Sequence, residues 1–210
     1  MLIELNNVSK KFGNKTVIDD FSIQIESGIK YAIIGRSGCG KSTLLNIMGG
    51  ILRSTTGDVT IFNYKNISTQ SSKIRKLLRY NISFLFQNYA LSDNDTVDYN
   101  LKMALLYNKT VTNKKQAISK ALEKVGLSGF EQQKVYTLSG GEQQRLAIAR
   151  LLLKPTQIIL ADEPTGNLDT ENRDAIFEQL LDLHREGKTL VLVTHDPDLA
   201  NICDVVIKLG

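Results

Sequence analysis

The stretch Gly35-Arg36-Ser37-Gly38-Cys39-Gly40-Lys41-Ser42 decides the fold. It follows the apolar run Tyr31-Ala32-Ile33-Ile34, which reads as a buried strand. It precedes Thr43-Leu44-Leu45-Asn46-Ile47-Met48, which reads as the first turns of a helix. Strand, glycine-rich loop and helix in that order make a cradle for phosphate. The glycines let successive backbone N–H groups turn toward one anion. The helix N-terminus adds a partial positive charge at the same point. Lys41 reaches the outer phosphates of a nucleotide, and the Ser42 hydroxyl is placed to ligate Mg²⁺.

Upstream, residues 2–26 carry short strand-like pieces: Leu2–Leu5, Thr16–Ile18 and Phe21–Glu26. Phe21, Ile23 and Ile25 alternate with Ser22, Gln24 and Glu26, the period of a half-buried strand. Phe12-Gly13 marks a turn between them. Phe12 suits either a core position or an aromatic platform on which a nucleotide base stacks. Downstream, Gly57–Phe62 is a strand, Ser72–Arg79 a helix whose Lys73, Arg75, Lys76 and Arg79 form a solvated basic face, and Ile82–Phe86 a strand ending at Gln87. Residues 95–153 change character. Thr96–Leu106, Lys114–Val125 and Glu142–Leu153 have helical spacing, with Ile118, Leu122 and Val125 on one face of the second. Gln157–Ala161 and Thr189–Val193 are continuous apolar runs, typical of parallel strands covered on both faces. The amphipathic helix Thr170–Arg185 lies between them, and a short helix at Asp198–Ala200 and a strand at Asp204–Leu209 follow. Strands alternating with helices imply a mostly parallel sheet, interrupted by a helical subdomain.

The 210 residues suit one domain with an inserted subdomain. A net charge of +4 is too mild to mark a nucleic-acid binder, which needs a concentrated basic face. Cys39 and Cys203 read as free thiols of a reducing cytoplasm, because a bridge at Cys39 would obstruct the phosphate loop. The N-terminus lacks the pattern of a signal peptide, and no apolar run reaches the roughly 18 residues that span a bilayer. Work at a membrane therefore requires another chain.

Several further residues have the chemistry a phosphate site needs. Asp162 and Glu163 follow the buried run Ile158–Ala161, where parallel sheets present their ligands. Asp162 suits Mg²⁺, and Glu163 suits polarisation of an attacking water. Gln87 ends a strand, where an amide can contact both metal and water. His195 ends the run Val191–Thr194, where a neutral imidazole could donate to a γ-phosphate. The other histidine, His184, reads as solvated. Leu138-Ser139-Gly140-Gly141-Glu142-Gln143-Gln144-Arg145 starts a helix. Ser139 and Glu142 there account for a capping box, yet Ser-Gly-Gly at a helix start is also a second anion site. One nucleotide does not need both sites.

Taken together, these motifs resemble, in order and over essentially the whole chain, the nucleotide-binding subunit of an ABC transporter. Gly35–Ser42 resembles the Walker A loop, Gln87 the Q-loop, and Leu138–Arg145 the signature motif. Ile158–Glu163 resembles Walker B with its catalytic glutamate, Asn167-Leu168-Asp169 the D-loop, and His195 the switch histidine. The resemblance implies an α/β fold: a P-loop NTPase core with a mostly parallel sheet, an N-terminal antiparallel β subdomain and an inserted α-helical subdomain. It implies one ABC ATPase domain over 1–210, with 1–87 and 154–210 as core and 88–153 as the helical subdomain. The implied nucleotide contacts are Phe12 on adenine, Gly35, Arg36, Ser37, Gly38, Cys39, Gly40, Lys41, Ser42 and Thr43, with Ser139, Gly140, Gly141 and Asp169. Ser42, Gln87 and Asp162 are the implied Mg²⁺ ligands, and Glu163, His195 and Gln87 the catalytic set. The resemblance also explains the surplus anion site. Family members dimerise head to tail, and the Ser-Gly-Gly of one chain closes on ATP held by the other.

The stretch Ala161–Asp169 is similar to the subfamily serving lipoprotein release, macrolide export and antimicrobial-peptide export or resistance. That similarity implies a peptide, lipid-linked or hydrophobic substrate and a separately encoded transmembrane permease. It implies a place in the cytoplasm on the inner face of the membrane, and no nucleic-acid partner. A related branch drives a membrane partner without transport, with the same engine. Soluble DNA-repair or translation ATPases of the superfamily carry coiled-coil insertions, zinc modules or a second ATPase domain, none of which is present here. Two positions depart from the family pattern: Leu91–Thr96 lacks the proline common after the Q-loop glutamine, and Ser54 replaces another common proline.

Overall fold

The computed structural model describes residues 1–67, 69–166 and 170–210. Asp169 and the stretch Asn167-Leu168-Asp169 lie outside the described residues. The chain runs β1 (Ile3–Phe12), β2 (Lys15–Ile25), β3 (Lys30–Ile34), α1 (Lys41–Met48), β4 (Thr56–Ile61), β5 (Tyr64–Lys65), α2 (Ser72–Tyr80) and β6 (Ile82–Leu85). It continues through α3 (Val97–Leu105), α4 (Lys114–Lys124), α5 (Gly140–Leu153), β7 (Ile158–Asp162), α6 (Thr170–Arg185), β8 (Thr189–Val193), α7 (Pro197–Asn201) and β9 (Val205–Lys208).

These strands make two sheets. One is antiparallel, in the order β2-β1-β4-β5; the other runs β6-β7-β8-β3-β9, and every pairing in it is parallel. The short pieces expected before residue 26 prove to be two long strands. Register shifts after Leu5, Val8 and Lys10 hide their continuity, and Asn7 and Asp20 take up left-handed backbone at the kinks. Gly13-Asn14 turn the hairpin, so Phe12 sits at its tip.

The parallel sheet is the wall between two apolar cores. Along β7, Ile158 and Leu160 face one core, with Tyr31, Ile33, α1 and the antiparallel sheet. Ile159 and Ala161 face the other, with the helices α3 to α5. Both faces are covered, which is why this strand reads as an unbroken apolar run. Helices α3, α4 and α5 pack on one another, and α5 also rests on α6 and β6. Side-chain caps fix the starts of α2, α3 and α4: Ser71 accepts from Ile74 N–H, Thr96 from Tyr99 N–H and Asn113 from Gln116 N–H. The basic residues of α2, Lys73, Arg75, Lys76 and Arg79, are exposed. Among the described residues no helix is long and apolar enough to cross a membrane.

Candidate functional site

All strands of a parallel sheet end on one edge, and that edge carries the expected chemistry. The loop after β3 holds Gly35 to Gly40, the turn after β6 holds Gln87, β7 ends at Asp162 with Glu163 next, and His195 follows β8. Ligands of such sheets bind there. An open cleft of about 530 Å³ lies at this edge; Ser37, Gly38, Gly40, Lys41, Ser42, Thr43, Gln87, Glu163 and His195 line it.

Glycine is required at two points of the loop by close approach. A Cβ on Gly40 would stand 2.8 Å from Val17 Cγ1 and 2.9 Å from Ile18 Cδ1, because β2 passes over the loop. A Cβ on Gly35 would stand 2.3 Å from the Leu209 carbonyl oxygen. Gly40 is also the N-cap of α1, with φ 103° and no side chain to bond the first-turn amides. Those N–H groups are left to face the cleft, a ready anion site. Lys41 is only 9% exposed and donates to the carbonyls of Gly35 at 3.0 Å and Arg36 at 3.1 Å. An ammonium so buried, held by two neutral oxygens, is completed by a phosphate. Gly35, Arg36 and Cys39 belong to the loop but not to the cleft wall. Cys39 turns back to pack on the core beneath.

The Ser42 hydroxyl donates to Asp162 Oδ1 at 3.0 Å, and Gln87 borders both the cleft and a neighbouring depression that includes Asp162. Hydroxyl, carboxylate and amide oxygens are hard donors and fit Mg²⁺. Among the described residues no group of three or more His, Cys, Asp or Glu could hold a metal.

His195 Nδ1 lies 2.6 Å from Glu163 Oε2, a pairing that sequence reasoning did not anticipate. Glu163 is held by its N–H, which donates to Val193 O at 2.9 Å, and adopts φ 49°, rare for a residue with a Cβ. The pairing leaves Nε2 as the ring nitrogen not held by Glu163. One expectation is corrected at His184, which is half-buried: its Nδ1 faces Lys188 O at 3.0 Å and its Nε2 faces Lys30 Nζ at 3.4 Å.

Phe12 is 50% exposed, so the core alternative is not realised. It does not line the cleft, but Val17 of the same hairpin does. Val17 and Gly166 are cleft residues that sequence reasoning missed; Gly166 lies in the loop after Glu163, while Val17 carried no signal beyond its strand. Ser139, Gly140 and Gly141 do not reach the cleft. They open α5, where the capping box is present: Glu142 N–H donates to Ser139 Oγ at 3.3 Å, and Ser139 N–H donates to Glu142 Oε2 at 2.7 Å. Ser139 and Gly140 are exposed, so the cap is real and the surface stays open.

The ABC transporter family profile matches residues 18–166, and the chain belongs to that family. It is an ATP-binding cassette and an ATPase. It is 39% identical over 208 residues to the uncharacterized ABC transporter ATP-binding protein YvrO of Bacillus subtilis, covering 97% of this chain and 91% of that one. It is 38% identical over 213 residues to the macrolide export ATP-binding/permease protein MacB of Escherichia coli, covering 99% of this chain and 33% of MacB. The chain thus spans about a third of that relative's length. The solved dimer of the ATP-binding cassette MJ0796, in a post-hydrolysis state with ADP and Pi, superposes with a TM-score of 0.90. It is 34% identical, and the match covers 100% of this chain and 94% of that one.

Proposed function

We propose that this cassette powers export or extraction of a peptide, lipid-linked or hydrophobic substrate through a permease carried on another chain. The observation that carries the engine is the convergence of Lys41, the Ser42–Asp162 pair, Gln87 and the Glu163–His195 pair on one sheet edge. Its coupling to export is supported by the MacB likeness, since that protein joins such a cassette to a permease in its name. A chain without a membrane-crossing helix among its described residues would act as a cytoplasmic subunit on the inner membrane face.

In this reading the amides of the loop and Lys41 bind the β- and γ-phosphates. Phe12 stacks on adenine. Ser42, Asp162 and Gln87 hold Mg²⁺, which offsets charge on the phosphates when bound. Glu163 takes a proton from the attacking water, and His195 orients Glu163 through its Nδ1–H. Ser139, Gly140 and Gly141, which do not line their own cleft, close on the nucleotide of a second copy. The dimeric state of the MJ0796 cassette supports that step. Residues 88–153 then move as the helical subdomain against the core, and Asp169 joins the nucleotide contacts.

Lys41→Ala is expected to weaken ATP binding by about 10- to 100-fold, the worth of a charged hydrogen bond in a desolvated site. Equilibrium titration with a fluorescent ATP analogue reads this, and unchanged affinity would remove the loop from the site. Phe12→Ala should weaken ATP roughly tenfold while leaving tripolyphosphate untouched, because stacking serves only the base. Equal loss for both ligands would assign Phe12 a structural role. Export itself is tested by reconstituting the cassette with a candidate permease and measuring ATP-dependent movement of substrate.

A further inference from the structure

An aromatic ring at a hairpin tip has little of its own element to rest on. Phe12 ends β1 at such a tip, and half of its surface is exposed. Its ring is nevertheless held. Lys10, two residues back in β1 and half-buried, places Nζ 4.9 Å from the Phe12 ring centroid. A cation within about 6 Å of a ring centroid is drawn to the face of the ring. The same ammonium donates to Arg53 O at 2.8 Å, and among the described residues it has no ion pair with a carboxylate. A flexible side chain is thus pinned at its charged end by one carbonyl, with one face of the ring against it.

The pin comes from the loop between α1 and β4. That loop is fastened to the end of β1 by two more bonds: Thr55 N–H donates to Ser9 O at 2.8 Å, and Lys11 N–H donates to Thr55 Oγ1 at 2.9 Å. The loop follows α1, the helix that opens with Lys41 and Ser42. Lys10 therefore ties the aromatic tip to the element whose start carries the phosphate cradle. Lys11 and Lys15 flank the same tip and are exposed, yet among the described residues neither stands over the ring.

We propose that Lys10 is a positioning residue for the base of the nucleotide: its ammonium, pinned on Arg53 O, covers one face of the Phe12 ring and leaves the other face for adenine. The proposal rests on the stacking role given to Phe12 above and deepens it. Two effects act together. The ring is held in one orientation before the base arrives, so less freedom is lost on binding. The cation also draws π density toward its own side, which leaves the opposite face less negative toward an electron-rich purine.

A double-mutant cycle in the full chain tests this, with ATP and tripolyphosphate affinities read side by side. Lys10→Met keeps the apolar stem and removes the charge. It is expected to weaken ATP about three- to fivefold and to leave tripolyphosphate within about twofold. Added to Phe12→Ala, it should cost no further ATP affinity, because the ring through which it acts is gone. Lys15→Met removes the same charge from the same tip without a ring contact, and should leave ATP within about twofold. Parental ATP affinity for Lys10→Met would overturn the proposal. So would equal losses for both ligands, losses that multiply with Phe12→Ala, or a Lys15→Met loss as large as that of Lys10→Met, since each marks a structural or general electrostatic role. Parental ATP affinity for Phe12→Ala would instead sink the stacking role of Phe12, and this proposal with it. If Lys10→Met does not fold, Lys10→Gln keeps a donor toward Arg53 without the charge. That variant goes through the same cycle: an ATP loss that disappears in the Phe12→Ala background supports the proposal, and one that persists there overturns it.

Discussion

Glu163→Gln is expected to hydrolyse ATP about 10² to 10⁴-fold more slowly than the parent while binding it, and to collect as a dimer. The carboxamide matches the carboxylate in size, so the packing at the end of β7 is kept. Its oxygen still accepts the Nδ1–H of His195, which lies at 2.6 Å. The backbone tie from Glu163 N–H to Val193 O is untouched. What disappears is the capacity to take a proton from water, together with one negative charge facing the γ-phosphate. The first loss stops chemistry; the second favours the ATP-bound state. Binding and hydrolysis therefore move in opposite directions, which no unfolding defect reproduces. Single-turnover rates and a sizing column with ATP measure both. A parental rate would mean that another group activates the water. His195→Ala gives the companion test. If the ring only orients Glu163, its loss should lower kcat less than Glu163→Gln does.

Most of the sheet edge was legible in the sequence because its signals are local. A buried parallel strand is a run of apolar residues, and the functional residue stands at its end, as Asp162 and His195 do. The glycine pattern of residues 35–40 is likewise a local signal, compact enough to read without its surroundings. What could not be read is what two distant segments do to each other. Glu163 and His195 each looked complete alone, and only the adjacency of β7 and β8 puts Nδ1 against Oε2. The long strands β1 and β2 were fragmented because bulges break the period on which the reading depends. Phe12 was open for a related reason: an aromatic at a hairpin tip has the same composition whether its ring turns inward or out. Lys10 gave no signal at all. It stands beside Lys11 in the sequence, and its acceptor is a backbone atom 43 positions away.

Ser139→Arg separates the two anion sites. Ser139 does not line the cleft that holds Lys41, so ATP affinity in the isolated chain should stay within about twofold. The substitution has a local cost. It removes the N-cap of α5, typically about 1 kcal/mol, and it sets a cation against the positive end of the helix. Glu142 loses the Ser139 hydroxyl, the larger of the bonds that hold its carboxyl below the usual range. A modest fall in melting temperature follows from those changes alone. Ser139→Ala shares the cap loss without the bulk, so it serves as the control. Beyond that shared cost, Arg fills the exposed surface at Ser139 and Gly140 with a long side chain, where a partner's γ-phosphate has to approach closely. The ATP-dependent dimer should be absent even when Glu163→Gln is present to trap it, and kcat should fall by at least about 10² because the donors to the transferring phosphoryl group never arrive. If the dimer survived Ser139→Arg, the start of α5 would be an ordinary capped helix, and the Lys41 cleft would be a complete site in one chain.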